Sequence, residues 1–167
     1  MTASGTRAIE LVRRAGITFR VHAYVPRGRH GRDRDARPVY GLEAAEALDV
    51  EPARIFKTLV VAVDGRLVLA VVPVAAELDL KRLADAIGGR KAELAEPTAA
   101  ERATGYVIGG ISPLATRRLL PTVVDASASE YPTVFVSAGR RGLQLELAPA
   151  DLVGLARAVV ALVRRDL

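Results

Sequence analysis

The chain has 167 residues, half of them apolar, with 24 basic against 19 acidic side chains and a net charge of +5. That length is most simply one domain around one core, and the basic balance suits a polyanionic partner without speaking to the fold. The absence of cysteine excludes disulfides, thiolate metal sites and a cysteine nucleophile, while two histidines without an HExxH pattern are too few for a histidine zinc site.

No stretch approaches the roughly 18 uninterrupted apolar residues of a membrane span. Met-Thr-Ala-Ser-Gly-Thr-Arg at the start leads into no apolar secretory core. A soluble cytoplasmic protein that engages no membrane is therefore expected. Arginine outnumbers lysine 21 to 3, which draws the eye to each lysine.

In chain order, residues 4 to 15 read as a helix with Ile9, Leu11, Val12 and Ala15 on its apolar side and Gly16 as its stop. Ile17 to Tyr24 alternates as a strand, with Thr18, Arg20, His22 and Tyr24 on the polar face. Pro26 to Pro38 is a loop carrying five arginines. Leu42 to Leu48 makes a short helix. Ile55 to Val63 and Arg66 to Val74 form a hairpin around Asp64-Gly65. Leu80 to Ile87 is helical, Ala92 to Leu94 a short strand, and Thr98 to Ala103 another helix. Three more strands are expected at Thr122 to Ala126, Thr133 to Ser137 and Leu143 to Leu147, the last two joined by Gly139-Arg-Arg-Gly142. A closing helix spans Pro149 to Arg164, with Leu152, Leu155, Val159 and Leu162 inward. The pattern predicts a single α/β domain over 1–167, a mixed and mostly antiparallel sheet flanked by helices.

Gly105-Tyr-Val-Ile-Gly-Gly-Ile-Ser-Pro-Leu114 is the segment best suited to meet a ligand. Gly109 and Gly110 permit close approach or positive φ. Ser112 and Pro113 read as N-cap and first residue of a helix through Leu119, whose free N–H groups suit an anion or a polarised carbonyl. A plain strand-to-helix turn is the other reading. Lys57 shares a strand face with Ile55, Leu59, Val61 and Val63, so it either snorkels to water or lines a pocket that takes phosphate, carboxylate or ester oxygens. Tyr24 ends its strand as a rim residue or a pocket wall, and His22 reads as a sheet-face histidine. Arg117-Arg118, Arg140-Arg141 and the arginine loop form either a solvated surface or one basic rim for phosphates. With seven aromatic residues, stacking platforms are scarce, so nucleic acid would bind by backbone and end. No GxSxG, Walker or GxGxxG pattern occurs, and neither a metal nor a nucleotide cofactor is expected.

In this order, Phe56-Lys-Thr-Leu59, Thr104-Gly-Tyr-x-x-Gly-Gly-Ile-Ser-Pro-Leu114 and Val136-Ser-x-Gly-x-Arg-Gly-Leu143 resemble the YbaK/EbsC family, free-standing relatives of the editing domain of bacterial prolyl-tRNA synthetase. Val21-His-Ala-Tyr24, Leu78-Asp-Leu-Lys-Arg82 and Arg118-Leu-Leu-Pro-Thr122 extend the likeness over nearly the whole chain. The resemblance implies an editing-domain fold, partly barrel-like, and a trans-editing hydrolase for Cys-tRNA(Pro) working without cofactor. Another mischarged tRNA such as Ala-tRNA(Pro), or a non-catalytic module that binds tRNA or prolyl-tRNA synthetase, are the other readings. Its partners would be the aminoacyl end of a mischarged tRNA and, transiently, prolyl-tRNA synthetase; DNA is not expected.

Carried over by position, Lys57 would anchor the aminoacyl end, and Gly109 and Gly110 would bring N–H groups to the ester carbonyl. Tyr24, Thr58, Ile111, Ser112 and Pro113 would line the substrate pocket, with Ser137, Gly139 and Gln144 on the facing side. Arg117, Arg118, Arg140 and Arg141 would meet the tRNA backbone. For this family the substrate's own thiol is proposed as nucleophile. Gln144 stands where many relatives carry an acid, and Ala115 where a glycine commonly follows Ser-Pro-Leu.

Overall fold

The computed structural model describes residues 5–26 and 40–165, so most of the arginine-rich loop lies outside the described residues. Helix α1 (Arg7–Ala15) is capped by the Thr6 hydroxyl, which accepts from the Ile9 N–H, and stopped by Gly16 at φ 71°. Strand β1 (Phe19–Ala23) follows, then α2 (Tyr40–Leu48). Strands β2 (Phe56–Val63) and β3 (Arg66–Pro73) pair from Phe56 with Pro73 to Val63 with Arg66. Asp64 and Gly65 both adopt positive φ, as a two-residue hairpin turn demands.

Next come β4 (Glu77–Leu78), α3 (Leu80–Ala86), β5 (Ala92–Leu94), α4 (Pro97–Thr104), β6 (Thr122–Asp125), β7 (Val134–Arg140) and β8 (Leu143–Leu147). The chain closes with α5 (Pro149–Ala156), β9 (Val159–Ala161) and β10 (Arg164–Arg165).

A three-stranded sheet runs β1-β8-β7, and a five-stranded one β5-β2-β3-β6-β9. β4 and β10 form a separate antiparallel pair. Among the described strand pairs, β3 with β6 and β6 with β9 run parallel and the others antiparallel, so the mixed, mostly antiparallel architecture holds. A parallel bridge between Ile55 and Phe135 joins the two larger sheets. Among the described residues no closed barrel forms: β1 and β9 remain unjoined edges.

Val71, Val124 and Phe56 of the large sheet pack against Val134, Val136, Leu143, Leu145 and Leu147 of the small one, with α1 and α5 completing that core. The opposite face of the large sheet, with Val61, Val63, Ala70 and Val72, is covered by Leu83 and Ala84 of α3. Burial on both faces explains the near-continuous apolar runs of β2 and β3.

Two helical expectations are corrected. Residues 112–119 are irregular. The Ser112 hydroxyl does accept from the Leu114 N–H at 3.2 Å, but Ala115 at φ 56° turns the chain out of a right-handed helix. The closing helix ends at Ala156, since Arg157 takes a left-handed conformation at φ 51°. The β-branched Val159 and Val160 then form an edge strand, leaving Val159 and Leu162 about half exposed instead of inward.

Candidate active site

Residues directly opposite in a sheet share a face, about 5 Å apart. Gln144 of β8 lies between His22 of β1 and Ser137 of β7. The parallel bridge sets Ile55 beside Phe135, and by strand alternation Lys57 and Ser137, each two residues on, lie on the face that carries Ile55 and Phe135. Val72 follows on β3. One row therefore reads Lys57, Ser137, Gln144, His22 across four strands, with Tyr24 two residues beyond His22. Lys57, far in sequence from the paired Ser137 and Gln144, is brought onto their face by a single bridge.

Helix α2 covers this face, with Ala44 and Ala45 packed against Ile55, Val74, Phe135 and Tyr24. Gly41 lies so close to Val74 that no Cβ would fit between them. Glu43 of the same helix takes the Arg141 guanidinium, with Nη2 at 3.1 and 3.0 Å from the two carboxylate oxygens. The expected phosphate ligand Arg141 thus ties the β7–β8 turn to α2. Arg117, Arg118 and Arg140 are exposed.

Lys57 is half-buried, and burial holds its ammonium below the ordinary lysine value, opposed by the charge of Glu77. Among the described residues it makes no ion pair or hydrogen bond. Tyr24 donates its N–H to Gly142 O at 2.9 Å. Burial, reinforced by Glu43, raises its phenol above the usual range against the pull of Gly142, Arg141 and Gln144. The Ser137 hydroxyl accepts from the Gly139 N–H at 3.1 Å and so shapes the bulge before the turn. Gln144 is 8% exposed, and its Oε1 is buried without a hydrogen-bond partner.

The glycine segment reaches the row from the other side of β2. Ile111 and Tyr106 pack with Val60 and Leu69, and Leu114 with Phe56 and Val71. Thr58 lies on this opposite face, its hydroxyl buried and without a partner. The Tyr106 hydroxyl donates to Leu114 O at 2.7 Å, and Glu101 accepts from the Ile108 N–H at 2.8 Å, fixing both arms of the segment. Ser112 and Pro113 are buried within it. Gly110 abuts the β7–β8 turn, where an added Cβ would fall 2.7 Å from Arg141 N and 2.8 Å from Arg140 Cα. Gly139 stands against the Tyr106 ring. The Gly110 N–H donates to Val107 O at 2.9 Å, so it is not an oxyanion donor; the residue serves by close approach. Among the described residues the N–H groups of Gly109 and Ile111 have no such acceptor.

Sequence reasoning missed Glu43 and undervalued His22. The His22 Nε2 lies 2.8 Å from Glu146 Oε1, and the Thr133 hydroxyl donates to Glu146 Oε2 at 2.6 Å. Burial works against the Glu146 carboxylate, yet Thr133, His22 and Arg54 together hold it below its ordinary range. The signal was present in the alternation that puts His22 and Glu146 on the Gln144 face. Among the described residues no cluster of potential metal ligands forms, and no helix is long and apolar enough to cross a membrane.

The model of the aminoacyl-tRNA editing domain family matches residues 37–155. The chain is 46% identical over 112 residues to EbsC of Enterococcus faecalis (strain ATCC 700802 / V583), whose name proposes a Cys-tRNA(Pro)/Cys-tRNA(Cys) deacylase; the match covers 66% of this chain and 68% of that one. It is 32% identical over 99 residues to the multifunctional Ser/Thr-tRNA deacylase ProXp-y of Escherichia coli (strain K12), covering 59% of each. A crystal structure described as a proposed trans-editing enzyme for prolyl-tRNA synthetase superposes with a TM-score of 0.83 at 25% identity, over 99% of both chains.

Proposed function

Because the chain belongs to the aminoacyl-tRNA editing domain family, we propose that it is a trans-editing deacylase that cleaves the ester of a mischarged tRNA, with Cys-tRNA(Pro) as its main substrate. The observation that carries this reading is Lys57. An ammonium with no ion-pair partner among the described residues, on a strand face whose other β2 residues are apolar, suits phosphate or ester oxygens from a ligand. Gln144, Ser137 and Tyr24 share its face, so an aminoacyl group laid along the row touches polar groups from three strands. The names of EbsC and ProXp-y place the same ester chemistry in two relatives.

The chain lacks a cysteine nucleophile, and the Ser137 hydroxyl, which accepts from the Gly139 N–H, has no hydrogen-bonded base among the described residues to activate it. We assign that part to the substrate thiol. Its sulfur bonds to the carbonyl carbon, the ester C–O bond breaks, the thiol proton passes to the ribose oxygen, and water then opens the thiolactone. The protein contributes geometry and stabilisation of the carbonyl oxygen by segment N–H groups. Prolyl-tRNA synthetase is the proposed transient partner that supplies tRNA identity, because seven aromatics give little means to read bases.

The test is deacylation of Cys-tRNA(Pro), Ala-tRNA(Pro) and Ser-tRNA(Pro) by wild-type and Lys57→Ala protein, with and without the synthetase. The expected result is rapid loss of cysteine alone, reduced at least 100-fold by the substitution. Equal clearance of the alanine ester defeats thiol assistance. Binding of tRNA without any turnover defeats the enzymatic reading.

A further inference from the structure

The buried, unpartnered Oε1 of Gln144 points to a specific group of the substrate. The Gln144 side chain lies beside the Tyr24 phenol, while its Oε1 accepts no hydrogen bond and is shielded from solvent. Folded proteins rarely leave a buried acceptor unmet, and a ligand donor is one way to meet it. An aminoacyl ester brings an α-ammonium and, for cysteine, a thiol that is only a weak donor.

Charge decides between them. Lys57 occupies the other end of the row, across the Ile55–Phe135 seam from Ser137 and Gln144. It repels a second cation and attracts the ester and phosphate oxygens. At the Gln144 end stand two carboxylates, Glu146 on the same face of the same strand and Glu43 beside Tyr24. Their field favours a cation there, although His22, Thr133 and Arg141 partly satisfy them.

Resting on the deacylase reading, we propose that Gln144 receives the α-ammonium of the aminoacyl group, so that the substrate lies along the row with its ester end at Lys57. Gln144 is then a residue that selects for a free amino group, and a neutral acceptor suffices because the nearby carboxylates supply the field.

The experiment compares kcat/KM for cysteinyl-tRNA(Pro) and 3-mercaptopropionyl-tRNA(Pro), which keeps the thiol and replaces the amino group by hydrogen. Wild-type protein is expected to prefer the cysteinyl ester by about 10- to 100-fold, the range of a hydrogen bond to a charged group. In Gln144→Met, which keeps the length and loses the acceptor, the preference falls to within about threefold. In Gln144→Glu, which keeps an acceptor, it equals or exceeds the wild-type value. An unchanged preference in Gln144→Met, or a lower one in Gln144→Glu, overturns the assignment while leaving the deacylase reading intact. Failure of wild-type protein to cleave either ester overturns both.

Discussion

Lys57 keeps a positive charge half-buried on a face otherwise built of Ile55, Leu59 and Val61, without an ion-pair partner among the described residues. Such a group opposes folding and favours anion binding. Lys57→Met is therefore expected to raise stability by about 0.5–2 kcal/mol in denaturant unfolding while abolishing deacylation. Loss of both would assign the lysine a structural part instead. The pH sign follows from burial. The folded value lies below the ordinary 10.5, so the charged form is the one that folding disfavours. Stability rises as pH climbs through the folded value, and KM for the tRNA ester is expected to rise over the same interval as the ammonium is lost. Ala115 is a second strained residue, a non-glycine at φ 56°. A glycine at the same place would hold that conformation without strain.

Among elements, the glycine segment and the β7–β8 turn act as one unit. Gly110 meets the Arg140 and Arg141 backbone on one side of the turn, while Tyr24 and Glu43 hold Gly142 and Arg141 on the other. The atoms crowding Gly110 are main chain and cannot rotate away. Gly110→Ala is thus expected to destabilise by about 1–3 kcal/mol and to lower kcat/KM at least tenfold, whereas Gly154→Ala, in open space on α5, leaves kcat/KM unchanged and raises stability by about 0.5–1 kcal/mol. Local elements were legible where one period dominates, as in the β2–β3 hairpin and its Asp64-Gly65 turn. The closing helix was overextended because Val159 and Leu162 also fit a helical period. The left-handed Arg157 and the pairing of β9 with β6 decide otherwise, and neither shows in local pattern. Likewise Ser112-Pro113 carries a helix-start signal that Ala115 cancels.

For the molecule as a whole, the C-terminal segment is pinned through one buried carboxylate. Asp125 accepts from the Ser127 N–H and hydroxyl, from the N–H groups of Val163 and Arg164, and from the Arg164 guanidinium at 2.8 Å. Burial alone would raise its pKa, but these donors hold it below the ordinary range, as their counterparts do for Glu146. Depressed carboxylates stabilise fully above their unfolded values and lose that contribution as pH falls through the folded ones. The contribution of these carboxylates to stability is expected to be flat above pH about 4.5 and to drop below about 4. Asp125→Asn should remove about 3 kcal/mol and flatten that acid slope, as urea midpoints measured between the two regimes will show. The family pattern in the sequence reached the whole-molecule fold and most of the row. The family pattern set Lys57 and Thr58 in one pocket, whereas the strand alternation that puts Lys57 on the face of Ile55, Leu59 and Val61 turns Thr58 to the other. The Ile55–Phe135 bridge has a consequence of its own. Lys57 and Ser137 belong to separate sheets joined there by a single β-bridge, so the gap a side chain must span is governed by how the two sheets splay about that seam. Volume changes in the core between them, at Phe56 or Val136, retune which amino acid fits without altering any residue that touches it.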